Sequence, residues 1–174
     1  MNDVINAMVT RRSTRKYKPD MVSPEIIEQI VKAGTYAATG MGRQSPIIIA
    51  VTNQEIRNRL SEVNAEIMGA VGSDPFYGAP VVLIVLADKN CPTRVYDGSL
   101  VMGNIMLAAH SLGLGGCWIH RAKETFERDE GKEILKQLGI KGDYEGIGHC
   151  VIGYSDGPAI SVLPRKSDYF YYLK

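Results

Sequence analysis

The chain has 174 residues, a length typical of one domain that can bury a core without disulfides or metals. Hydrophobic residues make up 45% and charged residues 22%, a balance that excludes disordered and fibrous proteins. Twenty basic and nineteen acidic side chains give a net charge of +1, well below the basic excess of a general nucleic-acid or membrane-surface binder.

Helices and strands are predicted in turn along the chain. Sequence patterns predict five helices, at residues 3–10, 24–38, 54–69, 94–112 and 124–138, the last of which is expected to be mostly exposed. Branched apolar runs predict four strands, at residues 47–51, 81–86, 117–119 and 146–153. Ser23 and Asn53 directly precede the second and third helices, where their side chains can cap the helix N-terminus. The residues of the third helix expected to face the core are Ile56, Leu60, Val63 and Ile67.

The end of the chain differs from the rest in composition. Residues 156–174 contain two prolines and end in the aromatic run Tyr169-Phe170-Tyr171-Tyr172. A segment of this length and apolar character is expected to be extended and to pack on another surface. No repeat or composition shift marks a second domain, so residues 1–174 are expected to form one domain with an extended C-terminal segment.

The strongest local signal is a basic segment, residues 11–18, that directly follows the first helix. Five of its eight side chains are basic, in a chain that is otherwise close to neutral. Arginine binds phosphate oxygens through paired N–H donors, and Ser13 can add another donor. A second basic pair, Arg165 and Lys166, follows Pro164. Either cluster alone fits a solvated turn as well as a phosphate site, but both together would suit one phosphomonoester.

Other motifs give little sign of catalytic chemistry. The glycines Gly113, Gly115 and Gly116 close a predicted helix, whereas a dinucleotide fingerprint opens one, so they are interpreted as a helix end and a turn. Cys117 and His120 could form a thiol nucleophile and its base, but a cysteine in an apolar strand is usually a small core residue. The three histidines lack metal-ligand spacing. The chain is therefore expected to hold a cofactor that supplies the chemistry, with no metal and no catalytic side chain.

Several features favour a cytoplasmic protein. The three cysteines are far apart and form no Cys-x-x-Cys pair, which suits a reducing compartment. The first residues lack the pattern of a signal peptide. The longest apolar run, residues 79–87, has nine residues, whereas a membrane-spanning helix needs about 20.

Beyond these patterns, the sequence resembles the nitroreductase family of FMN flavoproteins along its whole length. Residues 11–17, Arg-Arg-Ser-Thr-Arg-Lys-Tyr, are similar to the family's opening signature. Residues 42–46 are similar to its Asn-x-Gln-Pro-Trp loop, and residues 77–85 to its central strand and the entry to it. Residues 104–119 resemble its long core helix and the segment beside the flavin, and residues 164–166 resemble its last phosphate-binding element.

The resemblance implies an α+β fold, a three-layer α/β/α sandwich with a mixed, mostly antiparallel central sheet in an intertwined homodimer. Two FMN sites would lie at the dimer interface, and residues 156–174 would pack on the partner subunit. The implied activity is FMN-dependent NAD(P)H oxidation, with ping-pong hydride transfer through flavin N5 to nitroaromatic, quinone or similar acceptors. No nucleic acid or membrane partner is implied. The sequence leaves open a reductive dehalogenase or flavin-cleaving enzyme of the same fold, and a flavin-binding storage or sensor protein without turnover.

The family's site residues can be carried over position by position. Those implied to hold the FMN phosphate and ribityl chain are Arg11, Arg12, Ser13, Arg15, Arg165 and Lys166. Those implied to approach the flavin ring are Gln44, Asn64, Trp118, Ile119 and His120. Thr39 and Gly40 would reach the flavin of the other subunit. The departures from the family pattern are Gly42 in place of an asparagine, Ser45-Pro46-Ile47 in place of Pro-Trp, and His120 in place of a glycine.

Overall fold

The computed structural model describes residues 1–158 and 160–174. The helices are α1 Asp3–Thr10, α2 Pro24–Thr35, α3 Gln54–Met68, α4 Arg94–Ser111, α5 Ala122–Glu127 and α6 Asp129–Gln137. The strands are β1 Pro46–Val51, β2 Val81–Asp88, β3 Gly115–Ile119 and β4 Tyr144–Gly153. A short 3₁₀ turn, Gly40–Gly42, precedes β1.

The four strands form one sheet in the order β1-β2-β4-β3, and each neighbouring pair is antiparallel. Along the outer edge of β3, Ser13 forms an isolated parallel bridge with Gly116. The sheet register shifts once, between Val85 and Leu86 of β2, where β4 bulges. The basic segment thus continues the sheet beyond β3, and this adds the parallel contact expected of a mixed sheet.

The sheet is covered by helices on both faces, because alternate residues of the central strand β2 point to opposite sides. On one face, Leu83 and Val85 pack in a cluster with Ile30 of α2 and Ile105 of α4. On the other face, Val82, Ile84 and Leu86 pack in a cluster with side chains from α3 and α5, including Leu60 and Phe126. The predicted three-layer α/β/α sandwich is therefore confirmed.

Most predicted elements are confirmed, but the fifth predicted helix, residues 124–138, is wrong as a single element. Arg128 is extended, with φ −86° and ψ 166°, and it separates α5 from α6. The two helices then pack tightly, because a Cβ at Gly131 would lie 2.5 Å from the Cα of Phe126. The sequence predicted one mostly exposed helix here, and no proline marks the break at Arg128.

Two expectations about α2 and α3 also need correction. Ser23 stands at the N-cap of α2, but its side chain makes no capping hydrogen bond. Asn53 does cap α3, since its Oδ1 accepts from the backbone N–H of Ile56 at 3.0 Å. Ile56 itself is exposed rather than inward, and the neighbouring Arg57 is buried in its place. Ile67 is only half-buried.

Two apolar surfaces are exposed on the single chain. The side chains of α1 that form the first surface are Val4, Ile5, Met8 and Val9, which are 46–59% exposed. The second is the aromatic run near the C-terminus, whose four side chains are 68–82% exposed. After β4, the described residues form no helix or strand, apart from the bridge between Ser155 and Tyr17. None of the described helices is long and apolar enough to cross a membrane.

Candidate functional site

The basic segment is fixed against the edge strand β3. The backbone N–H of Thr14 donates to the carbonyl oxygen of Gly116 at 3.1 Å, beside the Ser13–Gly116 bridge. Gly115 has no side chain at the point where Thr14 packs against it, and a Cβ there would clash with Thr14. Further along, the buried Tyr17 donates its hydroxyl to the carbonyl oxygen of Thr14 at 2.9 Å. These contacts hold the segment in one conformation.

Arg11 and Arg12 carry the clearest sign of an anion-binding site. Arg12 Nη1 donates to the carbonyl oxygens of Val9 at 2.8 Å and Arg11 at 2.6 Å, which orients its guanidinium. Arg12 Nη2 and Arg11 Nη1 are buried and have no hydrogen-bond partner among the described residues. Buried donors are nearly always paired in native proteins, and a phosphate group is the acceptor that best suits two guanidiniums. The residues present therefore fit the phosphate end of FMN.

A cavity of about 330 Å³ joins this segment to the end of β3. Its lining includes Arg15 from the basic segment, Tyr77 from the turn before β2, and the run of residues 117–121. The structure thus brings Arg15 together with Trp118, Ile119 and His120, as the sequence implied. A larger cavity, of about 660 Å³, lies between α3 and α6 and contains none of the implied site residues.

An ion pair that the sequence analysis missed contributes Asp74 to the lining of the smaller cavity. Arg57 of α3 is almost fully buried and donates from Nη2 to Asp74 Oδ2 at 2.7 Å. Asp74 also accepts from Ser61 and from the backbone N–H groups of Phe76 and Gly78. The hydrogen bonds from Arg57 and Ser61 hold the pKa of Asp74 below its usual value, although burial alone would raise it. This network fixes the turn that presents Tyr77 to the cavity.

Asn64 lies behind the cavity wall rather than at its surface. It has no exposed area, and its Nδ2 donates to the carbonyl oxygen of His120 at 2.8 Å. Its Oδ1 accepts from Arg121 Nε at 3.0 Å. Both ends of the carboxamide are therefore used to hold the backbone after β3, so Asn64 positions the site and does not present free donors to it.

Arg121 is a second residue that the sequence analysis missed. It has a left-handed backbone, with φ 75°, a conformation that favours glycine. The sequence analysis named His120 as the residue that stands in place of the family's glycine. In the structure, the residue with the left-handed backbone is the next one, Arg121. The sequence signal that could have identified Arg121 is its basic side chain, which directly follows the segment expected to border the flavin.

The structure places Thr39, Gly40 and Gln44 at the opposite edge of the sheet. Gly40 donates its backbone N–H to Asp97 at 2.9 Å, and Gln44 donates its backbone N–H to Thr39 Oγ1 at 3.1 Å. This loop leads into β1, which is separated from β3 by β2 and β4, a distance of roughly 14 Å at ordinary strand spacing. The single chain therefore does not bring Gln44 to the same place as Asn64.

The basic pair near the C-terminus is also apart from the basic segment in the single chain. Arg165 and Lys166 are both exposed. Lys166 lies 3.8 Å from Asp168, and its Nζ lies 5.8 Å from the ring centroid of Tyr169. No hydrogen bond or ion pair between the described residues joins either side chain to Arg11 or Arg12.

The titratable groups around the site do not form a nucleophile and base. Burial raises the pKa of the Cys117 thiol, and Arg15 and Ser13 offset part of the rise. Burial also lowers the pKa of His149 to about 4, so this histidine is neutral at pH 7. In the part of the chain that the structure describes, no cluster of His, Cys, Asp or Glu side chains could hold a metal ion. The arrangement suits binding and orientation of a cofactor.

The chain belongs to the Nitroreductase family, which matches residues 8–154. A relative from Methanothermobacter thermautotrophicus is 38% identical over 120 residues, covering 67% of this chain and 60% of that protein. A relative from Archaeoglobus fulgidus is 30% identical over 143 residues, covering 79% and 76%. Both are named for NADH dehydrogenase/NAD(P)H nitroreductase activity. This chain thus spans less than two thirds of the length of the first of these relatives.

A solved structure shows the same fold with a cofactor bound. The nitroreductase of Bacteroides fragilis, crystallised with FMN, matches with a TM-score of 0.88 at 25% identity, and the match covers all of both chains. The recognition of the family from residues 11–17 and the later motifs is therefore confirmed.

Proposed function

We propose that this protein is an FMN-dependent NAD(P)H oxidoreductase. The observation that carries the proposal is the pair of buried, unpartnered guanidinium nitrogens of Arg11 and Arg12, in the same basic segment as Arg15, which lines the cavity bordered by residues 118–120. The names of two relatives also support this proposal. One from Bacillus subtilis, named as an NAD(P)H-dependent FMN reductase, is 28% identical over 138 residues, and one from Vibrio harveyi, named NADPH-flavin oxidoreductase, is 29% identical over 166 residues.

The basic segment and the cavity residues have distinct parts in this proposal. Arg11, Arg12 and Ser13 hold the phosphate, since the two arginines carry buried, unpartnered donors and Ser13 is fixed beside them against the edge of β3. Arg15 lies along the cavity toward the ring. Residues 118–120 border the ring with their backbone, whose conformation Asn64 fixes through the carbonyl oxygen of His120. When FMN is bound, it supplies the two-electron hydride chemistry between NAD(P)H and an acceptor. The protein contributes binding, orientation and positive charge.

The proposal includes a homodimer, because one chain leaves the site incomplete. Thr39, Gly40 and Gln44 lie at the far edge of the sheet, so they can serve a flavin only in the partner subunit. The exposed apolar side of α1 and the aromatic C-terminal run provide surface for such a contact. In the dimer, the C-terminal segment packs on the partner and places Arg165 and Lys166 at a phosphate site.

The acceptors that suit this chemistry are nitroaromatics, quinones and similar small oxidants. The compartment that suits a protein with free thiols is the cytoplasm.

The test of the proposed function is anaerobic addition of NADH or NADPH to the purified protein, after chromatography has identified the flavin that the protein releases. We expect FMN and bleaching of the yellow colour within seconds. Release of FAD would overturn the phosphate assignment. An FMN spectrum unchanged by both nucleotides would overturn the reductase in favour of a flavin-binding protein without turnover.

A further inference from the structure

The side chain of Arg121 is held in place at the cavity beside residues 118–120. Its Nε donates to Asn64 Oδ1 at 3.0 Å, and Asn64 is completely buried and anchored in turn to His120. This leaves Nη1 and Nη2 as the free donors of the guanidinium. Two parallel N–H donors in a fixed plane match the two oxygens of a carboxylate.

No acidic side chain of the described residues neutralises Arg121. Asp74, which lines the 330 Å³ cavity with Arg121, is used by Arg57, and Glu145, which lines the adjoining cavity, is used by Arg94 at 2.8 Å. Glu124, on the adjoining helix α5, is exposed and makes no ion pair with Arg121. Arg121 lines both the 330 Å³ cavity and an adjoining cavity of about 280 Å³. A cation that is oriented but unpaired, at the junction of two cavities, is suited to an anionic ligand.

The backbone of Arg121 adds a second, independent observation. A φ of 75° is unfavourable for a residue with a Cβ, and such strain persists where the surroundings hold it in place, often at ligand contacts. A glycine would adopt this turn without strain. The chain instead carries an arginine here, directly after the segment that borders the proposed flavin ring.

We propose that Arg121 is a specificity residue that binds the carboxylate of an aromatic electron acceptor lying against residues 118–120. This inference rests on the proposed function, because the acceptor stacks on the flavin ring. The 2′-phosphate of NADPH is at the adenosine end of the nucleotide, far from the reacting nicotinamide. A cation next to the reacting ring is therefore reached by a substituent of the acceptor ring itself. The favoured substrates are acidic aromatic acceptors, such as nitrobenzoates.

The test compares a charged and a neutral ring of the same shape on the oxidised, FMN-loaded protein. Benzoate and benzamide are titrated while the flavin absorbance is followed, which measures binding without turnover. We expect the wild type to bind benzoate roughly 10-fold or more tightly than benzamide. Arg121→Gly, which keeps the left-handed turn, should bring this ratio to about one. Arg121→Asn, which also tolerates that turn, should do the same.

Lys141→Met is the matched control, because it removes one exposed positive charge from a residue that lines neither cavity. It should keep the wild-type ratio, and kcat/KM for 4-nitrobenzoate against 4-nitrobenzamide should follow the same pattern. A wild type without preference, or an Arg121→Gly variant that keeps the preference, overturns the inference. A protein that binds FMN and is bleached by NAD(P)H but shows no preference disproves this inference alone. A protein that neither binds FMN nor is bleached by NAD(P)H disproves the proposed function as well.

Discussion

Asn64 Nδ2 donates a hydrogen bond to the carbonyl oxygen of His120 at 2.8 Å, from a position in α3 with no exposed surface. The same carboxamide accepts from Arg121 Nε at 3.0 Å. A single buried amide thus joins the helix on one face of the sheet to the chain where it leaves the edge strand β3. The conformation of the cavity wall depends on this link.

Asn64→Ala should lower the free energy of unfolding by about 1–3 kcal/mol, because it leaves the carbonyl oxygen of His120 without its buried donor. Urea denaturation of the flavin-free protein measures this change. The control is Asn6→Ala in α1, which removes an exposed carboxamide that makes no hydrogen bond to a described residue, and we expect a change within about 0.5 kcal/mol. Equal stability of the two variants would show that the link contributes little. FMN affinity should also fall in Asn64→Ala, because residues 118–120 lose their fixed conformation.

Arg12→Ala should weaken FMN binding by roughly 10- to 150-fold, the value of a charge-assisted hydrogen bond to phosphate. Arg165→Ala tests the C-terminal half of the proposed phosphate site in the same way. Lys18→Ala removes an exposed charge from the same basic segment and should leave the affinity nearly unchanged. Fluorescence titration of the flavin-free protein with FMN gives the three dissociation constants. Wild-type affinity in both arginine variants would contradict the phosphate assignment.

The sequence could predict the elements and the basic segment because both depend on local pattern. The spacing of apolar residues located α1 to α4, and the branched run at residues 81–86 identified the central strand, which is buried on both faces. The arginines of residues 11–15 stand next to one another in sequence, so their clustering needed no knowledge of the fold. Their place beside β3 was not predicted and comes from the fold, in which Ser13 pairs with Gly116.

The remaining features depend on contacts between distant parts of the chain, which pattern alone cannot show. Asn64 and His120 are 56 residues apart, and Arg57 and Asp74 are 17 residues apart. Arg57 is buried at a position where the helical pattern favoured Ile56, because the ion pair with Asp74 offsets the cost of burying its charge. The opposite placement of Gln44 and Trp118 follows from the strand order, which local sequence does not determine.

Cys117→Ser should retain most of the NAD(P)H oxidase activity. Burial raises the pKa of this thiol, so the reactive thiolate is scarce at pH 7. The side chain packs in the core cluster on the face of the sheet that α3 and α5 cover. Steady-state rates at equal flavin content make the comparison. A loss of a thousandfold or more with FMN still bound would instead identify Cys117 as a catalytic nucleophile.

His149 should make the protein less stable in mild acid. Burial lowers its pKa from 6.5 to about 4, so between these values the unfolded chain binds a proton that the folded chain does not. The free energy of unfolding therefore falls as the pH decreases from 6.5 to 4, by up to about 3 kcal/mol from this residue, and is unaffected above that range. His149→Leu removes the titration. The difference in stability between wild type and variant should be constant above pH 7 and should shift by this amount toward pH 4. A difference that does not vary with pH would show that His149 titrates normally.

The aromatic run near the C-terminus should stabilise a dimer and its flavin site together. Tyr169, Phe170, Tyr171 and Tyr172 are 68–82% exposed on the single chain, and each aromatic side chain can remove about 150–250 Å² from water when buried. Such a patch is unfavourable in a monomer and is typical of an interface.

Deletion of residues 168–174 should therefore lower the dimer fraction, the melting temperature and the FMN content in parallel. Replacing the same four aromatic residues by serine keeps the chain length and should have the same effect, because the lost stabilisation comes from apolar burial. Tyr36→Ser is the control, since Tyr36 is 78% exposed on a different part of the surface. Light scattering gives the oligomeric state, and absorbance gives the bound flavin. If the truncated chain stays dimeric, yellow and equally heat-stable, the C-terminal segment does not hold the partner. If it stays dimeric but loses FMN, residues 168–174 hold Arg165 and Lys166, which the deletion leaves in the chain, at the phosphate site without stabilising the interface.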